Sequence, residues 1–163
     1  MAERSISIEF SGFWNEYNKG TMPAKSGIYC VYAAVEDSLR KRVDIDRLLY
    51  IGESDNVKQR LEHHDGLVLW KHCLKRGQTL CFSFGPVAHA ERERSEAALI
   101  YQHKPPANVL YTDTFPFQTT RLHLKRQVPL LQRRFEVHSA VVPVAPPALS
   151  LLQRSLQLIR ATA

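Results

Sequence analysis

The chain has 163 residues, of which 44% are apolar and 23% charged, a composition typical of a folded globular protein and not of a disordered one. Its length predicts one domain with a substantial core. No run of eighteen apolar residues and no apolar leader occur, so we expect neither a membrane span nor secretion. Three cysteines without CxxC spacing indicate a reducing, cytoplasmic setting.

The net charge of +6 is concentrated in the last quarter of the chain. Residues 1–118 carry fifteen basic and fifteen acidic side chains, whereas residues 119–163 carry seven basic residues and one acid, Glu136. A basic end suits a polyanion such as DNA, and a merely solvated face is the alternative. Arg121, Lys125 and Arg126 are the candidate nucleic-acid contacts in this part.

The first half of the chain predicts three strand-like segments. ISIEFSGFW alternates and contains aromatic residues, which indicates a strand or arm that packs on the core. SGIYCVYAA and RLLYIG predict two further strands, close enough in sequence to form a hairpin. The charged segment between them, VEDSLRKRVDIDR, predicts a loop at the hairpin tip.

Helices and one strand follow. SDNVKQRLEHHD predicts a helix with Ser54 or Asp55 as its N-cap, and LVLWKHCL a helical turn. TLCFSFGPV predicts a strand, and HAERERSEAALIYQHK a long helix that the prolines 105–106 end. After Asn108 the pattern weakens to two short strands, a Pro-rich linker and an amphipathic helix at 149–159. We expect this helix to dock on its own domain, with a homodimer contact as the alternative.

Together these elements predict an α/β (α+β) fold. We expect a small central, mostly antiparallel sheet of about three strands flanked by helices, with a C-terminal strand and helix as an extension. The expected division is an N-terminal arm at 1–22, a main domain at 23–118 and a basic extension at 119–163.

Polar residues recur at particular places in this pattern. Tyr29 and Tyr50 lie beside Gly27 and Gly52 on neighbouring predicted strands. One helical turn separates Arg60 from His64, so both project from one helix face. Glu96 lies in the long helix and Asn108 follows it by twelve residues. Taken singly, each has an ordinary structural explanation, such as strand aromatics or exposed helix residues.

The joint spacing resembles the GIY-YIG nuclease superfamily. The residues that carry the resemblance are Gly27-Ile28-Tyr29, Tyr50-Ile51-Gly52, the arginine and histidine of NVKQRLEHH, and EAALIYQHKPPAN from Glu96 to Asn108. They cover residues 26–110, about half the chain. The resemblance implies a GIY-YIG-like fold and a DNA endonuclease with a one-metal mechanism, in which a motif tyrosine activates water.

The residue types also suit phosphodiester hydrolysis on chemical grounds. Glu96 is the expected ligand of a Mg²⁺ or Mn²⁺ ion, with Glu93 as the alternative ligand on the same helix face. Arg60 offers a fork of donors to a phosphate oxygen, with Lys58 beside it. A tyrosine acts as base only if nearby cations lower its pKa, and Tyr29 and Tyr50 remain joint candidates. By resemblance, His64 positions or relays a proton and Asn108 braces the site.

Two features depart from the family pattern. Twenty residues separate the two tyrosines, about twice the spacing of compact members. Glu53 follows Gly52 where many members have a lysine or a small polar residue, and its carboxylate repels phosphate unless it faces away or joins the metal. The histidines and cysteines have no standard zinc spacing, so we expect no zinc site.

The main functional expectation is therefore a metal-dependent endonuclease with a role in DNA repair, restriction or a mobile element. Duplex, branched and damaged DNA all stay open as substrates. The alternative is a nucleic-acid-binding module that kept the fold but lost turnover. Glu53 is the feature that favours it, and the intact set of site residues argues against it. A third possibility, a protein adaptor acting through the helix at 149–159, rests on the apolar stripe alone.

Overall fold

In a computed structural model, residues 2–139 are described, and they form six β-strands and three α-helices. The helix predicted at 149–159 lies outside them. Within these residues no helix is both long enough and apolar enough to cross a membrane. In chain order, the elements are β1 (Arg4–Asn15), a 3-10 turn (Lys19–Thr21), β2 (Gly27–Asp37), β3 (Arg42–Ser54), α1 (Val57–Glu62), α2 (Leu67–His72), β4 (Thr79–Pro86), α3 (His89–His103), β5 (Thr120–Arg126) and β6 (Arg134–Val137).

The strands form one mixed sheet in the order β3-β2-β4-β1-β5-β6, curled into a half-barrel. β1 and β5 run parallel, and the other neighbours run antiparallel. The prediction of a mostly antiparallel sheet of about three strands flanked by helices was therefore wrong. Alternating apolar residues identify a strand but not its partner, and β1 pairs with β5 across more than 100 residues of chain.

The β2–β3 hairpin is longer than the sequence predicted. The segment expected to be a loop is mostly strand, because β2 and β3 stay paired from Ala34↔Ile45 out to Asp37↔Arg42. Only residues 38–41 form the turn, which closes at Lys41 with a φ of 49°. The charged side chains at alternate positions of this stretch hid a period-two pattern in which Val43 and Ile45 are the partly buried members.

β2 lies at the centre of the core and is buried on both faces. Tyr29, Val31 and their like-facing neighbours pack with Leu61 of α1 and Trp70 of α2. The alternate residues, Ile28, Cys30 and Tyr32, pack on the opposite face, where the apolar residues of α3 lie (Ala97, Ala98, Leu99 and Ile100). The short helices α1 and α2 therefore cover one face of the sheet, and α3 covers the opposite face. β3 is the edge strand at this end of the sheet.

The helix ends follow local side-chain chemistry. Asn56, rather than the predicted Ser54 or Asp55, caps α1, and its side chain accepts a hydrogen bond of 3.1 Å from the Gln59 N–H. α3 ends in the left-handed conformation at Lys104, with a φ of 47°, directly before the proline pair. The amide of Lys104 closes the last turn on the Ile100 carbonyl at 2.7 Å.

Candidate active site

Four aromatic rings, from β2, β3, α2 and the loop between α1 and α2, meet on the α1/α2 face of the sheet. The loop ring is His64, so the prediction that His64 and Arg60 share one helix face was wrong, because α1 already ends at Glu62. The ring centroids of Tyr29 and Tyr50 lie 6.1 Å apart, and the His64 ring lies 5.9 Å from Tyr29 and 5.6 Å from Tyr50. Trp70 of α2 closes the cluster at 4.3 Å from His64 and 5.1 Å from Tyr50. Three residues of the predicted site, Tyr29, Tyr50 and His64, therefore belong to one cluster of contacting rings, and Trp70 completes it.

The two motif glycines allow two different close contacts, and one of them makes room for Tyr29. In the β2–β3 register Tyr29 lies opposite Gly52, and a Cβ atom on Gly52 would stand 2.3 Å from the Tyr29 Cζ and hydroxyl oxygen. A Cβ on Gly27 would stand 2.3 Å from the Gly85 carbonyl oxygen of β4. Gly52 is therefore needed for the packing of Tyr29, and Gly27 for the close approach of β2 to β4.

His64 is neutral and presents a hydrogen-bond donor to this cluster. Its Nδ1 accepts a hydrogen bond of 2.8 Å from the Gly66 N–H, which assigns the ring proton to Nε2. Nε2 is buried and has no hydrogen-bond partner among residues 2–139. Burial, reinforced by the charge of Arg60, lowers the pKa of His64 to about 4. At neutral pH the imidazole therefore offers an unused N–H donor.

The two tyrosines differ in accessibility. Tyr29 is only 1% exposed, whereas Tyr50 is half-buried. Burial, together with neighbouring Tyr50, raises the pKa of Tyr29, and the nearby Arg60 guanidinium only partly opposes that rise. Burial, followed by the charge of Glu96, likewise raises the pKa of Tyr50. Arg60 acts in the expected direction, but without a further cation both tyrosines stay protonated at neutral pH.

Glu96 lies on the other side of β3, in the wall of a pocket of about 250 Å³. The pocket is lined by Tyr50, Glu96, Ile100 and residues 107–111. Burial, followed by the charges of Glu53 and Glu93, raises the pKa of Glu96 to about 7, although a backbone hydrogen bond from Glu53 partly offsets this. A carboxylate in such surroundings is stabilised by any cation that comes near it.

The residues present fit one hard divalent cation. Mg²⁺ usually keeps several water ligands and binds through one or two carboxylates plus substrate phosphate. Within residues 2–139 no group of three or more His, Cys, Asp or Glu side chains converges as a ready-made metal cage. Glu96 therefore suits a site completed by water and phosphate. Glu93, the alternative ligand, is exposed and accepts a hydrogen bond of 2.9 Å from the Tyr111 hydroxyl.

Asn108 joins the segment after α3 to the edge of the sheet. Its Oδ1 accepts from the Ile51 N–H and its Nδ2 donates to the Ile51 carbonyl, both at 2.9 Å. The next backbone contact, from the Ala107 N–H to the Leu49 carbonyl, measures 3.0 Å. Among residues 2–139 no strand pairs with β3 on this side, so these bonds satisfy its outward-facing groups and align Tyr50, between them, with the Glu96 pocket.

The predicted nucleic-acid contacts fall into two groups. Lys58 and exposed Arg60 lie on α1, beside the aromatic cluster. Arg121, Lys125 and Arg126 lie on β5, three strands away from β2. Arg121 contacts Glu136 and Glu3, and Arg126 lies 3.6 Å from Glu9. Lys125 makes no salt bridge with any residue of the described part.

Three residues of this region were not predicted as functional. Trp70 is buried, and the structure places it in the aromatic cluster. Tyr111 follows Asn108 by three residues, which is the only sequence signal for it. Arg92 lies one helical turn before Glu96, and that spacing could have identified it as a neighbour of the site. Comparison of the chain with family models, with curated proteins and with solved structures gives no match.

Proposed function

We propose that the protein is a Mg²⁺- or Mn²⁺-dependent DNA endonuclease of the GIY-YIG type. The observation that carries the proposal is the convergence of Tyr29, Tyr50, His64 and Arg60 on one side of the β3 edge with Glu96 on the other. The charges of Arg60 and Glu96 both act on the Tyr29 and Tyr50 hydroxyls. These are the groups that phosphodiester hydrolysis requires: phosphate donors, a proton acceptor and a cation ligand.

Each side chain has a role in this proposal. Arg60 is exposed at the end of α1 and binds a non-bridging phosphate oxygen through its fork of donors. Tyr50 is the accessible tyrosine and lines the Glu96 pocket, so its ionised form would receive the proton of the attacking water once a nearby cation has lowered its pKa. Tyr29 packs against Tyr50 and holds its ring in place. The unused Nε2–H of His64 donates to an oxygen of the tyrosines or of the substrate.

Glu96 holds the cation in this scheme. The bound ion supplies Lewis-acid stabilisation of the charge that develops on the phosphate oxygens. Glu96 is half-buried at the wall of the pocket and would hold the ion there, and water and phosphate would supply the other ligands. Asn108 keeps the pocket and the tyrosine strand in register through its two bonds to Ile51.

A cytoplasmic location accompanies the proposal. All three cysteines are free thiols, Cys30 and Cys81 are buried, and Cys73 is half-buried. Thiols that remain unpaired agree with a reducing compartment, where chromosomal or foreign DNA is the available substrate. The proposed partner is DNA.

A cleavage assay tests the function. Purified protein is incubated with supercoiled plasmid and with branched DNA in Mg²⁺ or Mn²⁺, alongside Glu96→Gln, Arg60→Ala, Tyr29→Phe and Tyr50→Phe. We expect Glu96→Gln, Arg60→Ala and Tyr50→Phe each to lose at least about a hundredfold in rate, a typical loss for a catalytic acid, base or charge-stabilising group, and Tyr29→Phe, which keeps the packing ring, to lose less. Glu62→Gln, an exposed change on α1, serves as the matched control and should cleave at the wild-type rate.

Two results would contradict the proposal. Equal nicking by the wild type and all four variants would identify a contaminating nuclease. Binding of DNA by the wild type without cleavage, at any metal concentration, would instead assign the chain as a nucleic-acid-binding module.

A further inference from the structure

The end of β3 brings two additional acids to the site. Glu53 and Asp55 follow the Tyr50-Ile51-Gly52 motif, and the charge of Glu53 acts on both Glu96 and Tyr50. Left uncompensated, these two carboxylates and Glu96 would place three negative charges where the proposed substrate carries its phosphate. Like charges at such short range repel strongly.

Arg92 of α3 contacts both of these acids. Its Nε donates to Glu53 Oε2, and its Nη1 donates to Asp55 Oδ1 and, at 3.0 Å, to the Ser26 hydroxyl. The Arg92 residue is only 8% exposed, although Asp55 itself remains largely open to solvent. One guanidinium therefore holds two carboxylates against the helix that also carries Glu96.

The local charge balance depends on this one side chain. Glu53, Asp55 and Glu96 contribute three negative charges, which Arg92 and Arg60 reduce to one. Without Arg92 the balance would be two negative charges, and Glu53 would be left partly buried with no partner. Breaking a buried ion pair by removing one partner is strongly unfavourable because the other charge remains uncompensated.

We propose that Arg92 is a positioning residue that neutralises Glu53 and Asp55 and so allows a nucleic-acid phosphate to enter between Arg60 and Glu96. The inference rests on the proposed function, since it concerns the same site. It also explains how this chain tolerates an acid directly after Gly52. The competing explanation is that Arg92 only ties β3 to α3 and has no effect on the phosphate.

The two explanations differ in their response to removing Glu53. If Arg92 acts by charge, an Arg92→Gln variant becomes competent again when Glu53→Gln removes the carboxylate left without a partner, and Glu53→Gln alone strengthens binding. The strengthening is expected because Glu53→Gln releases the Arg92 charge toward the substrate. If Arg92 acts only as a structural tie, Glu53→Gln alone breaks the same tie and does not strengthen binding.

The measurement is the dissociation constant of a fluorescein-labelled 20-base-pair duplex, by anisotropy, in EDTA at 50 mM salt. Without metal there is no cleavage, so binding is measured separately from turnover. We expect Arg92→Gln to weaken binding about five- to tenfold, Glu53→Gln to strengthen it about threefold, and the double variant to lie within about twofold of wild type. Arg4→Gln is the control variant. It removes an arginine of β1 that lies 3.5 Å from Glu91 of α3, the helix that carries Arg92, and its dissociation constant should stay within about twofold of wild type.

Thermal unfolding of every variant accompanies the binding data. A folded double variant that binds no better than Arg92→Gln would overturn the inference and leave the proposed function intact. If Arg92→Gln does not fold, Glu53→Gln decides, and unchanged or weaker binding by that variant would overturn the inference. A wild-type protein that binds no duplex at all would overturn both.

Discussion

At the scale of single residues, Gly52 shows how a missing side chain positions a functional one. The Tyr29 ring lies over Gly52 because the two residues are opposite each other in the β2–β3 pair. Tyr29 itself is anchored from the other side by the β4 strand, where it lies opposite Phe84. Tyr29 is thus packed between β3 and β4, and a side chain at position 52 would clash with its ring.

A Gly52→Ala variant should therefore lose stability and displace the Tyr29 ring. We expect a loss of about 1–3 kcal/mol in the free energy of unfolding, the usual cost of overpacking a buried site. Chemical denaturation measures it. Gly20→Ala is the control, because a Cβ there meets no atom nearer than 3.6 Å. Equal stability of both variants would contradict the close packing of Tyr29 on Gly52.

His64 predicts a distinct pH dependence of stability. Its pKa is about 4 in the folded protein, below the ordinary value of 6.5. Between these values the unfolded chain binds more protons, so the His64 contribution is complete above pH 6.5 and is lost as the pH falls to about 4. The raised pKa of Glu96 changes stability in the opposite direction, because the folded protein then binds more protons than the unfolded chain. Glu96 is present in every variant compared, so its contribution cancels.

The test compares unfolding free energies between pH 4 and 7 for the wild type, His64→Gln and the exposed control His63→Gln. Wild type and His63→Gln should lose more stability toward low pH than His64→Gln does. Parallel curves for all three proteins would mean that His64 is not held neutral by its surroundings.

At the scale of elements, the edge of β3 is completed by a side chain and not by another strand. Asn108 satisfies both outward groups of Ile51, and the neighbouring Leu49 carbonyl bonds to the Ala107 amide. The same contact fixes the segment that forms one wall of the Glu96 pocket. An asparagine at this position therefore links the stability of the edge to the geometry of the site.

Replacing Asn108 should weaken the edge and the pocket together. We expect Asn108→Ala to cost about 1–3 kcal/mol, because it leaves an N–H and a carbonyl of Ile51 without partners. Asn108→Asp keeps the shape but loses the donor to the Ile51 carbonyl. Faster hydrogen exchange of the Ile51 amide in Asn108→Ala is the direct measurement. The exposed Gln102→Ala, which breaks a side-chain bond to Gln132, should change neither quantity.

At the scale of the whole molecule, the β5 strand shares a face with the candidate site. Paired residues of neighbouring strands share a face, and Tyr29 of β2 pairs with Phe84 of β4, which pairs with Ser11 of β1. Glu9, two residues before Ser11, lies on the same face and pairs with Lys125 of β5. Three strand spacings of about 4.8 Å place Lys125 about 14 Å from β2 along the sheet. Under the proposed function, Lys125 therefore lies on the face of the sheet that would carry the bound duplex.

Lys125 and Arg121 should therefore differ in their effect on DNA binding. Lys125 has no acidic partner within residues 2–139, whereas Arg121 contacts two glutamates. We expect Lys125→Ala to lower the slope of log affinity against log salt by about one, and Arg121→Ala to change it less. Anisotropy titrations from 50 to 200 mM salt measure the slopes. A larger effect of Arg121→Ala would contradict a role for the open charge of Lys125.

Much of the local structure and the candidate residues followed from the sequence. The β-branched and aromatic residues of SGIYCVYAA predicted β2, TLCFSFGPV predicted β4, and the Pro pair correctly ended α3. Short-range patterns were sufficient for these elements, because each signal involves neighbours within a strand or a helical turn. The resemblance to the GIY-YIG superfamily selected Tyr29, Tyr50, Arg60, His64 and Glu96, and the structure brings these side chains to one edge of the sheet.

Only the tertiary structure decided how the strands combine and how the charges balance. The parallel pairing of β1 with β5 and the six-stranded order depend on contacts between distant segments, which no local pattern encodes. The burial that keeps His64 neutral arises only when its loop and α2 pack on the tyrosines of β2 and β3. The contact of Arg92 with Glu53 and Asp55 arises only when α3 packs beside the end of β3. The sequence by itself thus determined the chemical groups, and the packing determined their ionisation and pairing, because both depend on what lies within a few ångströms in space.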